Sequence, residues 1–168
     1  NKGLTPGDIC MPPMPTPALI VRQEGNNVFN FYPFVSVYEA YKKSGPNVLG
    51  VEALQEIDGC TGVKVNTADG YADYLFTATD MQAHHPSKRV SFCGRLGLIR
   101  EKEGQIQLMY LGCGRSLKKG NFVLESDHDV YAAIYMQHGV WYYSATGPVR
   151  VKIGKETKKL NEGYNQKL

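Results

Sequence analysis

The segment from Lys88 to Leu117, KRVSFCGRLGLIREKEGQIQLMYLGCGRSL, constrains this chain more than any other. Two long apolar-rich runs flank Glu101-Lys102-Glu103-Gly104, and glycine in that position supplies the positive φ that a tight, twist-matched hairpin needs. With Glu103-Gly104 as the turn, Lys102 faces Gln105. Continued without a break, that register sets Leu98 against Met109 and Leu96 against Leu111 on one face, with Ile99 against Leu108 and Gly97 against Tyr110 on the other. Both faces are then largely apolar, so the hairpin belongs in the interior of a layered β domain and requires cover on two sides. The same register sets Cys93 opposite Gly114 and Cys113 opposite Gly94, with the sulfurs on opposite faces and unbonded.

The rest of the chain supports an all-β fold. Val48 to Ile57, Gly62 to Asn66, Tyr71 to Ala78, Asn121 to Ser126, Val130 to Met136, Gly139 to Ser144 and Val149 to Ile153 read as strands, with Asp58-Gly59 and Asp69-Gly70 as turn signals. Upstream, Ala18 to Gln23 and Val28 to Tyr41 carry the same β-branched and aromatic bias. No helical periodicity is sustained anywhere. The pattern predicts an antiparallel β-sandwich or roll of about ten strands. Residues 1–17, with five prolines, read as an extended lead-in; 18–153 as the β domain; 154–168 as a polar tail or short edge element.

A length of 168 residues suits one domain, and 19 basic against 16 acidic residues give a net charge of +3, too slight and too scattered for a nucleic-acid partner. No apolar run has the length of a membrane span, and the start at Asn1-Lys2-Gly3 reads as a mature product or an excised piece. Cys10, Cys60, Cys93 and Cys113 form no C-x-x-C pair, and the glycines form no phosphate loop, so no metal or cofactor is read from the sequence. His84 and His85 point oppositely if extended, and His128 and His138 flank a strand, on the order of 25 to 30 Å apart. All four histidines are expected in loops or at the surface. Asp58, Asp69, Asp73 and Asp80 take the turn roles usual for aspartate. A small hydrolase or lyase built on a Cys or His site is the weakest reading, since no cysteine stands in a nucleophile signature.

The last predicted hairpin offers the best candidate site. With Thr146-Gly147 as its turn, Val140, Tyr142, Val149, Val151 and Ile153 share an apolar face, while Tyr143 faces Arg150 and Trp141 faces Lys152 on the other. Rings beside cations suit a sugar and its acidic substituents, because the ring meets C–H groups and the cation meets a carboxylate or sulfate. The same pairs also serve as cross-strand cation–π packing that stiffens the hairpin.

PTPALIVRQEG, PFVSVYEAY and KRVSFCGRLGLIREKEGQIQLMYLGCGRSLKKGNF resemble the C-terminal β region of heparinase II/III-like polysaccharide lyases and related alginate lyases, over Pro15 to Ile153. The resemblance implies a parent with an α/α toroid, a large β-sandwich and a small terminal β domain. Such a parent cleaves uronic-acid glycans by β-elimination: a base takes the C5 proton and an acid, usually Tyr, protonates the leaving oxygen. No histidine or tyrosine of this chain matches those roles. What is implied is a noncatalytic accessory β piece of a secreted or periplasmic lyase, whose partners are acidic polysaccharide and the remaining lyase domains. Its cut sheet edges are expected to self-associate. The alternative is an independent carbohydrate-binding or adhesion module using Trp141, Tyr143, Arg150 and Lys152.

Overall fold

In the computed structural model the described residues are 45–54, 59–87 and 89–168. Among the described residues eleven strands follow one another: β1 (Val48–Ala53), β2 (Cys60–Thr67), β3 (Tyr71–Ala78), β4 (His84–Ser87), β5 (Val90–Lys102), β6 (Gln105–Lys119), β7 (Phe122–Gln137), β8 (Val140–Ala145), β9 (Val149–Ile153), β10 (Glu156–Leu160) and β11 (Gly163–Lys167). All pairings are antiparallel, in the order β1-β2-β3-β5-β6-β7-β8-β11, with β4 added to β5, β9 to β7 and β10 to β9. The expected lead-in and the two upstream strands lie outside the described residues.

The sheet is folded over on itself. Lys119 is the register partner of Val90 at one end of β5, while Glu101 lies at the other end of that 13-residue strand. Laid flat, β5 would measure about 40 Å; yet the Lys119 ammonium sits 2.9 Å from the Glu101 carboxylate. Phe122 and Trp141, near opposite ends of the β7–β8 pair, likewise meet with ring centroids 5.8 Å apart. Strands β5, β6 and β7 therefore run through both layers of a sandwich. One layer carries β1, β2, β3, β8 and β11 on the turn-proximal halves of the long strands. The other carries β4, β9 and β10 on their distal halves.

Glycine makes the corner. β5 and β6 slip register between Cys93 and Gly94, leaving Arg115 as the extra residue, and β7 passes Ser126 to Asp129 opposite that single arginine. Such bulges sharpen the twist and turn a strand from one layer to the next. At Gly114 a Cβ would stand 2.5 Å from Leu111 Cδ1 and 2.7 Å from the Cys93 carbonyl oxygen, and at Gly94 it would stand 2.9 Å from Gly114 Cα. No side chain fits between strands that close.

Between the layers, Phe76, Phe92, Ile99, Met109, Leu111, Leu117, Leu124 and Ile134 are fully buried. This corrects the hairpin register. Lys102 does pair with Gln105 and Glu101 with Ile106, as the turn chemistry requires, but a bulge at Gln107 then moves every later pair by one, so Ile99 meets Met109 and Leu98 meets Tyr110. A one-residue slip exchanges faces. Ile99 enters the core, whereas Leu98 is half-buried on the opposite face and Leu96 is 40 % exposed. Val63 and Val65 are buried on that opposite face, so cover on the second side is present over β2 and thins toward Leu96.

The polar terminal residues join the sheet. β10 pairs with β9 and β11 with β8, because the open edges of β8 and β9 present backbone groups that need partners. Among the described residues no helix is long and apolar enough to cross a membrane.

Candidate functional site

The predicted β8–β9 hairpin does not form. The chain runs straight through Ala145 to Val149, so β8 and β9 both lie antiparallel to β7, β8 against Ala132–Gln137 and β9 against Phe122–Glu125. Thr146-Gly147 is a break in one bent strand that follows β7 around the corner, and Thr146 binds the Tyr131 carbonyl through its backbone N–H (2.9 Å). Two consequences correct the expected glycan face. Tyr143 is 6 % exposed, pointing into the core in register with Ile134, where its hydroxyl donates to Gln166 Oε1 at 3.1 Å. Trp141 faces the same way and packs on Phe122 and the core. Arg150 and Lys152 do face outward, on the other layer, and neither pairs with the aromatic residues assigned to it. Cation–aromatic packing of the expected kind occurs instead at Tyr71, with Arg100 at 5.2 Å and Lys102 at 4.9 Å from its ring centre.

A different set of rings reaches solvent. In β7, Val130, Ala132 and Ile134 are buried, which turns Tyr131, Ala133 and Tyr135 to the outer face. Across the sheet, Tyr110, Ala133 and Ser144 form one row and Leu108, Tyr135 and Tyr142 the next. Tyr135 stacks on Tyr142 with centroids 5.9 Å apart and 17° between planes, and its hydroxyl donates to Asn165 Oδ1 at 2.5 Å. From β11, Tyr164 comes alongside. The outcome is an open cleft of about 660 Å³ whose walls include Tyr110, Tyr131, Ser144, Thr146, Glu162 and Tyr164. Tyr131 is 54 % and Tyr164 80 % exposed. Flat rings, hydroxyls and one carboxylate in a shallow trough suit a sugar, whose C–H faces stack on rings while its hydroxyls find polar partners. The alternation in Val130-Tyr131-Ala132-Ala133-Ile134-Tyr135 was a legible signal for this face. Tyr164, in a stretch expected to be a polar tail or a short edge element, had none.

His84 and the described cysteines sit in packed surroundings. His84, expected at the surface, is 4 % exposed in β4, and its Nε2 lies 2.8 Å from Asp80 Oδ1. That oxygen also accepts the Gln82 N–H at 2.9 Å, the local turn bond expected of aspartate, and the backbone and His84 bonds hold the Asp80 carboxyl below its usual range. Cys60, Cys93 and Cys113 are unpaired thiols. Burial pushes the Cys60 thiol up, with the Asp80 charge adding to it, and burial does the same at Cys93, whose Sγ donates to the Met81 carbonyl. Both changes disfavour the thiolate that nucleophilic chemistry needs. No group of three or more metal-ligating side chains occurs among the described residues.

Residues 48–136, just over half of the chain, match the family described as the endo-acting ulvan lyase C-terminal domain. The chain belongs to that family. It is 33 % identical over 119 residues to an endo-acting ulvan lyase from Formosa agariphila, the matched stretch being 67 % of this chain and 14 % of that enzyme. The chain thus spans a small part of the length of that relative. No solved structure matches. The general resemblance to a polysaccharide lyase C-terminal region stands, and the family that the match supports is that of the ulvan lyase domain, not specifically the heparinase II/III lyases.

Proposed function

We propose that this chain is a noncatalytic accessory β domain of a polysaccharide lyase and that it holds acidic, uronic-acid-containing glycan against its tyrosine face. One observation carries the reading: Tyr131 and Tyr164 stand exposed over an open cleft walled by hydroxyls and a carboxylate, in a domain whose family is that of a lyase terminus. Of the four residues first assigned to glycan, Trp141 and Tyr143 are reassigned to the core, and Arg150 and Lys152 are kept for charge contact.

The parent is proposed to act outside the cytoplasm, to carry a heparinase II/III-like toroid, and to meet this domain through its remaining domains. Exposed Leu49 and Val51 on β1, the outermost strand of the sheet among the described residues, support a contact there with those domains or with a second copy. The test is binding of ulvan and alginate by the isolated chain, followed by unsaturated-uronate absorbance over time. Retention lost in Tyr131→Ala and Tyr164→Ala, with flat absorbance, is the expected result. A steady absorbance rise from pure chain would overturn the noncatalytic reading. Retention indifferent to both tyrosines would overturn the site. An independent binding module remains the alternative, and an upstream gene sequence without a lyase domain would favour it.

A further inference from the structure

The outer face of the other layer is built differently. Register places Cys93, Ser116, Glu125, Arg150 and Lys159 in a single row across β5, β6, β7, β9 and β10. Two residues along, Lys118 and Lys152 join the same face, in register through Val123. An open cleft of about 540 Å³ lies over this row, beside the corner. Its lining contains four cations, Arg115, Lys118, Arg150 and Lys159, and two carboxylates, Glu125 and Asp127.

Those charges are incompletely matched. Glu125 is shared between Lys118, in direct contact, and Arg150 at 3.5 Å. Arg115 is fixed through its Nε on Asp129 Oδ1 at 2.7 Å. Lys159 has no ion pair among the described residues, and its side chain is exposed. A second observation is independent of charge. The Ser116 hydroxyl, in the middle of the row and lining the same cleft, is buried without a hydrogen-bond partner among the described residues, a state that native structures seldom leave unanswered. Cations that flank a free hydroxyl donor make a site for an oxyanion, since charge attracts the group and the short hydroxyl bond orients it.

We propose that this cleft is a subsite for an anionic substituent, a carboxylate or a sulfate ester, on a glycan chain. Arg150 and Lys159 supply the attraction, Ser116 supplies the directional bond, and Glu125 anchors Arg150 and Lys118 beside it. The proposal rests on the reading that the domain contacts acidic glycan, and it names the charge of what is held.

The test uses the whole 168-residue chain, titrated with heparin (sulfated), alginate (carboxylate only), dextran (neutral) and inorganic sulfate. The expected result is affinity for heparin, alginate or both, falling steeply with salt, none for dextran, and sulfate-induced shifts of the Ser116 amide. Lys159→Glu should weaken binding at least fivefold with an unchanged melting temperature, and Ser116→Ala about two- to threefold with no loss of stability. Binding of heparin alone identifies the sulfate ester; binding of both polymers shows that a carboxylate suffices. Either supports the subsite. Affinity unchanged in Lys159→Glu overturns it, as does a chain that binds none of the charged probes. Loss in Lys159→Glu with indifference to Tyr131→Ala and Tyr164→Ala would sink the tyrosine site and leave this one standing. The opposite pattern would do the reverse.

Discussion

The two layers of the sandwich share their strands and their core but present opposite chemistry to water. On the layer with β8 and β11, the outer positions of β6 and β7 are Tyr110, Tyr131 and Tyr135; on the layer with β9 and β10, the same two strands carry Ser116, Lys118 and Glu125. Inside, Met109 and Ile134 continue without interruption into Leu117 and Leu124. A strand that passes a corner must keep its buried alternation on both sides, whereas its outward positions are free to change character. The corner at Gly94 and Gly114 is therefore where one chemistry gives way to the other.

The strongest way to break this comparison is to ask whether the layers are one folding unit. Phe92 is fully buried against Phe76, so Phe92→Ala should cost about 3–5 kcal/mol and leave a single urea transition by both fluorescence and circular dichroism. Two separated transitions would mean that the layers fold independently. At the corner itself, Gly114→Val should cost about 3 kcal/mol, since even a Cβ meets Leu111 Cδ1 at 2.5 Å; a loss under about 1 kcal/mol would show a corner that yields.

Trp141→Ala separates core from site. Because the ring is half-buried on Phe122, about 2 kcal/mol of stability should be lost while glycan affinity of the folded protein stays the same. Reduced affinity without reduced stability would return Trp141 to the binding face. For Tyr131→Ala the balance reverses, with stability within about 0.5 kcal/mol of the parent and affinity down several-fold.

The smallest effect concerns the β4 edge. Asp80 is depressed in the folded state, so its contribution is present above the unfolded value near 3.8 and is lost as pH falls below it. Urea midpoints compared between pH 6 and pH 3 should fall less in Asp80→Asn than in the parent. Equal falls would show that the bond to His84 is not what acid removes.

What was legible in the sequence was mostly local. Gly104 named its turn, Asp69-Gly70 named another, and all-β architecture followed from strand spacing. Register faded with distance from each turn, because Gln107 and Arg115 are extra residues that nothing in composition marks. The aromatic run Val140-Trp141-Tyr142-Tyr143 is apolar on both sides, so alternation alone could not say which ring faced inward; an assumed turn at Thr146-Gly147 decided it wrongly. His84 looked polar and peripheral, and only the fold shows it buried with Asp80 on its solvent side. The polar end of the chain gave no sign that β11 would place Tyr164 beside Tyr131.

Because β5, β6 and β7 run unbroken through both layers, the tyrosine face and the cationic face are fixed on one rigid frame. If both proposed faces hold glycan, a polymer bound at one would offer its next repeats to the other at an effective concentration of order millimolar, and two weak contacts would combine into avidity about 10²-fold or more beyond either alone. The length of chain needed to pass from one face to the other would then act as a ruler, favouring long polymers over short oligosaccharides of the same composition.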